Sequence, residues 1–224
     1  MKIIVLHGDN TLESYKRLLA FIKEARSRGW EVKRITNTSI DIPEALISDS
    51  LFSTNRIVVV EGVSLITKKV ISWIKKKGKS INTTFVIYHP GVINKTFTKS
   101  LPKIDKTEEF SIPKLIWSFL GSFYPENAKN TLLLLHEIVK TEALEFVFSL
   151  LAKQVRDLYW VKVDPESMPY PSWRTGKLRQ QSQKFSESLL TQIIDELADA
   201  DTKSKTTDSN LLDLLDFIIV DKLK

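Results

Sequence analysis

The chain has no cysteine, which excludes disulfides and thiolate metal sites and agrees with a reducing compartment. It also lacks any apolar run long enough to span a bilayer. Its start, Met1-Lys2-Ile3-Ile4-Val5-Leu6, leads into His7-Gly8-Asp9 rather than into a small-residue cleavage site, so it reads as a buried strand and not as a signal. The expected setting is the cytoplasm, with no membrane partner.

What is present suits a folded protein. A chain of 224 residues with 42% hydrophobic content can bury a real core, as one large domain or two small ones. The net charge of +6 is uneven: residues 1–110 carry 19 Lys/Arg against 11 Asp/Glu, and residues 111–224 carry 14 against 16. Two modules are therefore expected, 1–110 and 111–224. The basic one points to nucleic acid or an acidic protein partner, although surface lysines also serve solubility alone.

The first half reads as strands alternating with helices. Residues 2–7 are apolar and of strand length, and after Gly8-Asp9-Asn10 a helical pattern places Tyr15, Leu18, Leu19, Ile22 and Ala25 at spacings of three and four, ending at Gly29. Trp30 to Ile35 and Arg56 to Glu61 form further strands. Ser64 is the expected cap of a helix carrying Val70, Ile71, Trp73 and Ile74, and Thr83 to Tyr88 is the last strand. Continuously apolar strands separated by helices indicate a parallel sheet covered on both faces, an α/β arrangement of the nucleotide-binding kind.

The second half holds no convincing strand. Ala128, Leu132, Leu135 and Val139 form one helical stripe, and Leu144, Phe148, Leu151, Val155 and Leu158 another. Two further helices run from about Ser186 to Ala200, with Leu190, Ile194 and Leu197 inward, and from about Asp208 to Leu223, with Leu211, Leu215 and Ile218 inward. An all-α bundle follows.

Chemistry is judged first at the junction Leu6-His7-Gly8-Asp9-Asn10-Thr11-Leu12-Glu13. A phosphate-binding loop needs several glycines, a lysine and a hydroxyl on Mg²⁺. This junction has one glycine, no following lysine, and two acids that repel phosphate; the dinucleotide fingerprint is absent as well. His7, His89 and His136 lie far apart and read as structural. Asp195, Glu196, Asp199 and Asp201 read as a solvated acidic face rather than a metal site. No catalytic residue, metal or cofactor is expected.

Two features stand out. One is Ser50-Leu51-Phe52-Ser53-Thr54-Asn55-Arg56, where adjacent Leu51 and Phe52 cannot both point inward from one helix face. Either they anchor in a partner's apolar pocket or they plug the underside of the sheet. The other is Lys68, Lys69, Lys75, Lys76, Lys77 and Lys79, either a phosphate-contacting face or a solvated helix exterior.

Several stretches, in order, make the chain resemble the delta subunit of the bacterial DNA polymerase III clamp loader. The opening strand with Gly8-Asp9 resembles that family's degenerate first loop. Leu51-Phe52-Ser53 with Arg56 and Val58-Val59-Val60 resembles its clamp-contacting element. Leu151 to Leu158 is similar to its first long collar helix. Pro171, Lys177-Leu178-Arg179-Gln180, Phe185-Ser186, Leu197-Ala198-Asp199-Ala200-Asp201 and Lys205 resemble its tail. One departure is large. Glu109-Phe110-Ser111-Ile112-Pro113 runs directly into Leu115 to Leu120, which resembles the segment leading into the collar, so the small lid domain between the two is absent.

The resemblance implies a degenerate AAA+-like domain over 1–110, without a functional P-loop, and a helical oligomerisation collar over 111–224. It implies a sliding clamp bound by Leu51 and Phe52, and ATPase and delta-prime-like neighbours met through a collar that includes Leu151, Gln154, Arg156, Leu158, Phe185 and Leu197. The six lysines would be candidates for contact with primed DNA. A nucleic-acid-binding protein with no clamp role is the alternative. An enzyme acting on nucleotides is a third reading, against which the turn at Gly8 argues.

Overall fold

The computed structural model describes residues 1–48 and 55–224. The chain forms two compact units, Met1–Ile112 and Pro113–Lys224.

The first unit is built on a five-stranded parallel sheet in the order β2-β3-β4-β1-β5. Its strands are β1 (Lys2–His7), β2 (Glu31–Ile35), β3 (Arg56–Glu61), β4 (Thr84–His89) and β5 (Lys106–Glu109); its helices are α1 (Thr11–Ser27), α2 (Ile42–Ile47), α3 (Lys68–Lys77) and α4 (Lys95–Ser100). The three central strands carry continuous apolar runs, residues 3–6, 57–60 and 85–88, because both faces are covered. Ile3, Val5, Val58, Val60, Phe85 and Ile87 pack against α2 and α3 through Ala45, Leu46 and Ile74. The alternate residues Ile4, Leu6, Ile57, Val59, Val86 and Tyr88 pack against Leu18, Ile22 and Ala25 of α1. Each Val, Leu, Ile or Phe side chain among these contributes about 1.5–3 kcal/mol by leaving water. The crossover through α1 travels from β1 to the far edge of the sheet, opposite in direction to the other three. Right-handed crossovers therefore set α1 alone on its face.

Local sequence explains the helix ends. The Asn10 side chain accepts the Glu13 amide at 3.2 Å, and Gly29 adopts φ 72° just past the last turn of α1. The buried stripe of α1 is Ser14, Leu18, Ile22 and Ala25, whereas Tyr15 and Leu19, expected to face inward, are exposed at its margin. Helix α3 is capped by Thr67, whose hydroxyl accepts the Val70 amide at 3.4 Å; Ser64, the expected cap, sits in a short 3₁₀ turn over Val63–Leu65. Strand β5 is not predicted by pattern. Lys106-Thr107-Glu108-Glu109 has no apolar residue, and it is an edge strand paired only with β1. Glu108 ties it to α1 through Arg17 at 2.8 Å.

The second unit is wholly helical: α5 (Lys114–Ser122), α6 (Ala128–Ile138), α7 (Leu144–Val163), α8 (Ser172–Ser182), α9 (Glu187–Thr206) and α10 (Leu211–Lys222). Its core joins Ile116 and Phe119, Leu135 and Ile138, Leu151, Val155 and Leu158, Leu190, Ile193 and Leu197, and Leu215, Ile218 and Ile219. Helices α5 and α8 add to the four expected from periodicity. Helix α8 buries only Leu178 and Ser182 and contains Gly176, so it has no apolar stripe to read. Helix α9 runs on to Thr206 through polar turns, and Ile193 joins Leu190 and Leu197 on its inward face, with Ile194, expected there, half-buried. Among the described residues no helix is long and apolar enough to cross a membrane.

Candidate functional site

The helices that leave the neighbouring strands β1 and β4 lie on opposite faces of the sheet. The crevice at the carboxyl ends of such a pair is where open α/β sheets hold ligands. Here it is formed by His7-Gly8-Asp9-Asn10 and His89-Pro90-Gly91, and the chain's own residues 110–112 enter it. The Gly8 amide donates to the Gly91 carbonyl at 2.9 Å, and the Asn10 amide to the Phe110 carbonyl at 2.9 Å. The Thr11 amide donates to the Asp9 carbonyl at 3.0 Å, and that of Ser14 to the Asn10 carbonyl at 3.1 Å. In return the Phe110 amide donates to the His7 carbonyl at 2.8 Å, and the Ile112 amide to Asp9 Oδ1 at 2.7 Å. Gly8 has φ 141°, and a Cβ there would lie 2.0 Å from the Phe110 oxygen. Backbone donors of the kind that cradle phosphate are thus engaged within the protein.

The histidines do not converge on a reactive set. His7 is buried, and its Nδ1 accepts the Ile93 amide at 3.4 Å. His89 has a buried Nδ1 without a hydrogen-bond partner among the described residues, and burial, then the neighbouring His7, lowers its pKa below the ordinary histidine value. His136 is exposed on α6, its Nε2 2.8 Å from Asp216 Oδ2. Among the acids of α9, Glu196 pairs with Lys222 at 2.7 Å and Asp201 with Lys205 at 2.6 Å. No group of three or more metal-ligating side chains occurs among the described residues.

Leu51 and Phe52 lie outside the described residues, but both ends of their segment are described. Its base is closed by Arg56, whose side chain is 8% exposed. The Arg56 guanidinium donates from Nη1 to the Ser48 carbonyl, to Ser48 Oγ at 2.7 Å and to the Ala45 carbonyl at 3.3 Å. From Nε and Nη2 it meets Glu31 Oε2 at 3.0 and 2.7 Å. One side chain therefore joins the carboxyl end of α2, the start of β2 and the first residue of β3. Its five donors suit this fork, which a lysine cannot reproduce.

The six lysines are all exposed, but the structure divides them. Lys68 and Lys69 open α3, while Lys75, Lys76, Lys77 and Lys79 lie at and after its other end. None of the six pairs with a carboxylate among the described residues.

The six collar residues separate in the same way. Leu151, Leu158, Phe185 and Leu197 are buried in the helical unit's own core, with Phe185 stacked on Phe123 at 6.4 Å, so they are packing residues and not surface contacts. Gln154 donates to Gln181 Oε1 at 2.7 Å, and Gln181 in turn donates to the Leu120 and Phe123 carbonyls at 2.8 and 2.9 Å. Arg156 alone of the six is exposed. It bonds Asp157, a fully buried carboxylate that also accepts the Tyr170 hydroxyl at 2.8 Å and lies 3.7 Å from Arg174. A groove of about 800 Å³ between α7 and α9 is lined by Leu144, Phe148, Ala152, Ile194 and Leu211, with Arg156 and Lys205 among its charged residues.

No protein-family model matches the chain, and no curated protein does. Among solved structures it is similar to the Bacillus subtilis DNA clamp loader delta protein, at 15% identity and a TM-score of 0.47, over 100% of this chain and 95% of that one. It is similar to a DNA polymerase III gamma subunit-related protein of Thermotoga maritima at 12% identity and a TM-score of 0.32, over 99% and 93%. A chain of Drosophila ORC bound to AT-rich DNA and Cdc6 follows at 14% identity and a TM-score of 0.30, over 87% and 75%. These are distant likenesses.

Proposed function

We propose that this chain is a delta-like clamp-loader subunit of the bacterial replicative DNA polymerase III, a non-hydrolysing arm that binds and opens the sliding clamp for loading onto primed DNA. The reading starts from the resemblance carried by Gly8-Asp9, Leu51-Phe52-Ser53 with Arg56, and the segments from Leu151 to Lys205. The observation that carries it furthest is the crevice at Gly8: an α/β module built like a nucleotide-binding domain has its phosphate-facing turn occupied by its own Phe110–Ile112 backbone. Such a module acts by binding, and the energy for cycling comes from neighbouring ATPase and delta-prime-like subunits held through the helical unit.

Leu51 and Phe52 enter the clamp's apolar pocket, and they favour the open ring only to the extent that they bind it better than the closed one. The described residues on either side of the pair, Ser48 and Arg56, are bonded to each other, which fixes the spacing of the two flanks on docking. The alternative, a basic nucleic-acid-binding protein with no clamp role, draws on the exposed lysines alone.

The test is gel filtration of the chain mixed with the sliding clamp of the same organism, with and without ATP and Mg²⁺. Co-elution that nucleotide does not alter supports the reading. Elution of the two proteins apart, or binding of ATP with Mg²⁺ to the isolated chain, counts against it.

A further inference from the structure

The lysines at the far end of α3 stand on the edge of the sheet from which the Leu51–Phe52 segment departs. Strand β3 starts at Arg56, and Ile57 lies beside Thr84, where β4 starts. The Thr83 hydroxyl donates to the Leu46 carbonyl at 3.2 Å, and the Lys2 amide donates to the Thr83 carbonyl at 3.1 Å. The end of α2, the start of β3, the turn after α3 and the start of β1 therefore meet along one edge. Exposed Lys75, Lys76, Lys77 and Lys79 are on it, with Lys2 alongside.

Among the described residues, the charge on this edge is uncompensated. Between Glu61 and Asp105 the chain has nine lysines and no aspartate, glutamate or arginine. Of the described acids at the edge, Glu31 is engaged by Arg56 and Asp105 by the Ile3 amide at 2.7 Å. Around α1 and β2 four of the seven basic residues are paired: Lys16 with Glu13, Arg17 with Glu108, Arg28 with Glu24 and Arg34 with Glu61. A local excess of this kind acts on anionic surfaces over a screening length of about 8–10 Å.

We propose that Lys75, Lys76, Lys77 and Lys79 form a steering surface for an acidic protein face, one that borders the apolar pocket taking Leu51 and Phe52. The inference rests on the proposed clamp-binding function and names the charge of the partner beside that pocket. Lysine is depleted in the desolvated cores of protein interfaces, so these side chains work at the rim, on encounter and orientation. The apolar pair governs how long the complex lasts. An acidic protein suits the layout better than a nucleic-acid backbone does. The lysines gather at the end of α3 beside the segment's base, and Lys68 and Lys69 are set apart by about two helical turns, roughly 10 Å.

The test is stopped-flow association of the full chain with the sliding clamp at low and at raised salt. The comparison is between wild type, the Lys75→Gln/Lys76→Gln/Lys77→Gln/Lys79→Gln variant and a Lys68→Gln/Lys69→Gln control. The quadruple variant is expected to associate roughly tenfold more slowly at low salt and to lose most of its salt dependence, with dissociation changed by less than about twofold. The control is expected to keep wild-type rates. A quadruple variant with wild-type association and salt dependence overturns the proposal. So does one that loses binding to primed duplex DNA while its clamp kinetics stay unchanged, which assigns the lysines to phosphates. A wild-type chain that does not bind clamp at all removes the proposed function first, and this surface with it.

Discussion

The guanidinium of Arg56 bonds both the carbonyl and the hydroxyl of Ser48, eight residues earlier, and so closes the base of the segment that carries Leu51 and Phe52. Arg56→Met removes these bonds together with those to Ala45 and Glu31. The expected result is a fold that survives with reduced stability and a clamp affinity at least roughly tenfold weaker, since Ser48 and the start of β3, which flank Leu51 and Phe52, are then no longer tied together. Arg56→Lys recovers only part of the loss, because one ammonium cannot span three elements. Thermal melting and titration against clamp read the two effects separately. Unchanged clamp affinity in a folded Arg56→Met variant denies Arg56 its positioning role.

Gly8→Ala tests the closed crevice. The new methyl would fall 2.0 Å from the Phe110 oxygen in a backbone conformation with φ 141°, so strand β1 and the 110–112 segment must separate. A loss of about 2–4 kcal/mol is expected by chemical denaturation. An effect below about 0.5 kcal/mol would mean that the two segments are not in contact.

Asp157 is buried in the helical unit with Tyr170, Arg156 and Arg174 around it. Asp157→Ala is expected to cost about 1–3 kcal/mol, less than a sealed ion pair, because both arginines can turn toward water. Burial, then the bond to Asp157, raises the Tyr170 phenol above its ordinary value of 10.0. The folded state holds this proton more tightly than the unfolded one, so the contribution is complete below the ordinary value and is lost as pH climbs through the folded one. Ultraviolet titration of tyrosinate should show a late-ionising component that Tyr170→Phe abolishes.

His89 shapes the acid side of the stability profile. Its pKa is lowered in the folded state by burial, then by His7, so the unfolded chain binds the proton more readily. Stability from this group is complete above the unfolded value of 6.5 and declines as pH falls below it. Melting temperatures between about pH 7 and pH 5 should drop in the wild type and drop less in His89→Gln. Parallel profiles would place the acid sensitivity elsewhere.

The sheet was legible because the middles of β1, β3 and β4, residues 3–6, 57–60 and 85–88, are unbroken apolar runs, as strands covered on both faces require. Strand β5 was not, since Lys106 to Glu109 is held by backbone pairing at an edge and by the salt bridge from Arg17, neither of which leaves an apolar pattern. At Gly8 the missing lysine was readable, but the Phe110–Ile112 backbone comes from a hundred residues away and left no local sign. Periodicity marked Leu151, Leu158 and Leu197 as buried faces, yet could not tell burial against the chain's own helices from burial against a partner; the structure shows the former. The bonds of Arg56 depend on three elements meeting, which no spacing encodes.

Calorimetric titration of the sliding clamp with the purified chain, beside its Leu51→Ala/Phe52→Ala variant, tests the central claim most directly. The account predicts saturable binding by the wild type that weakens by several kcal/mol in the variant, as for a buried pair of interface anchors. Equal binding by a folded variant, or none by a folded wild type, would contradict it.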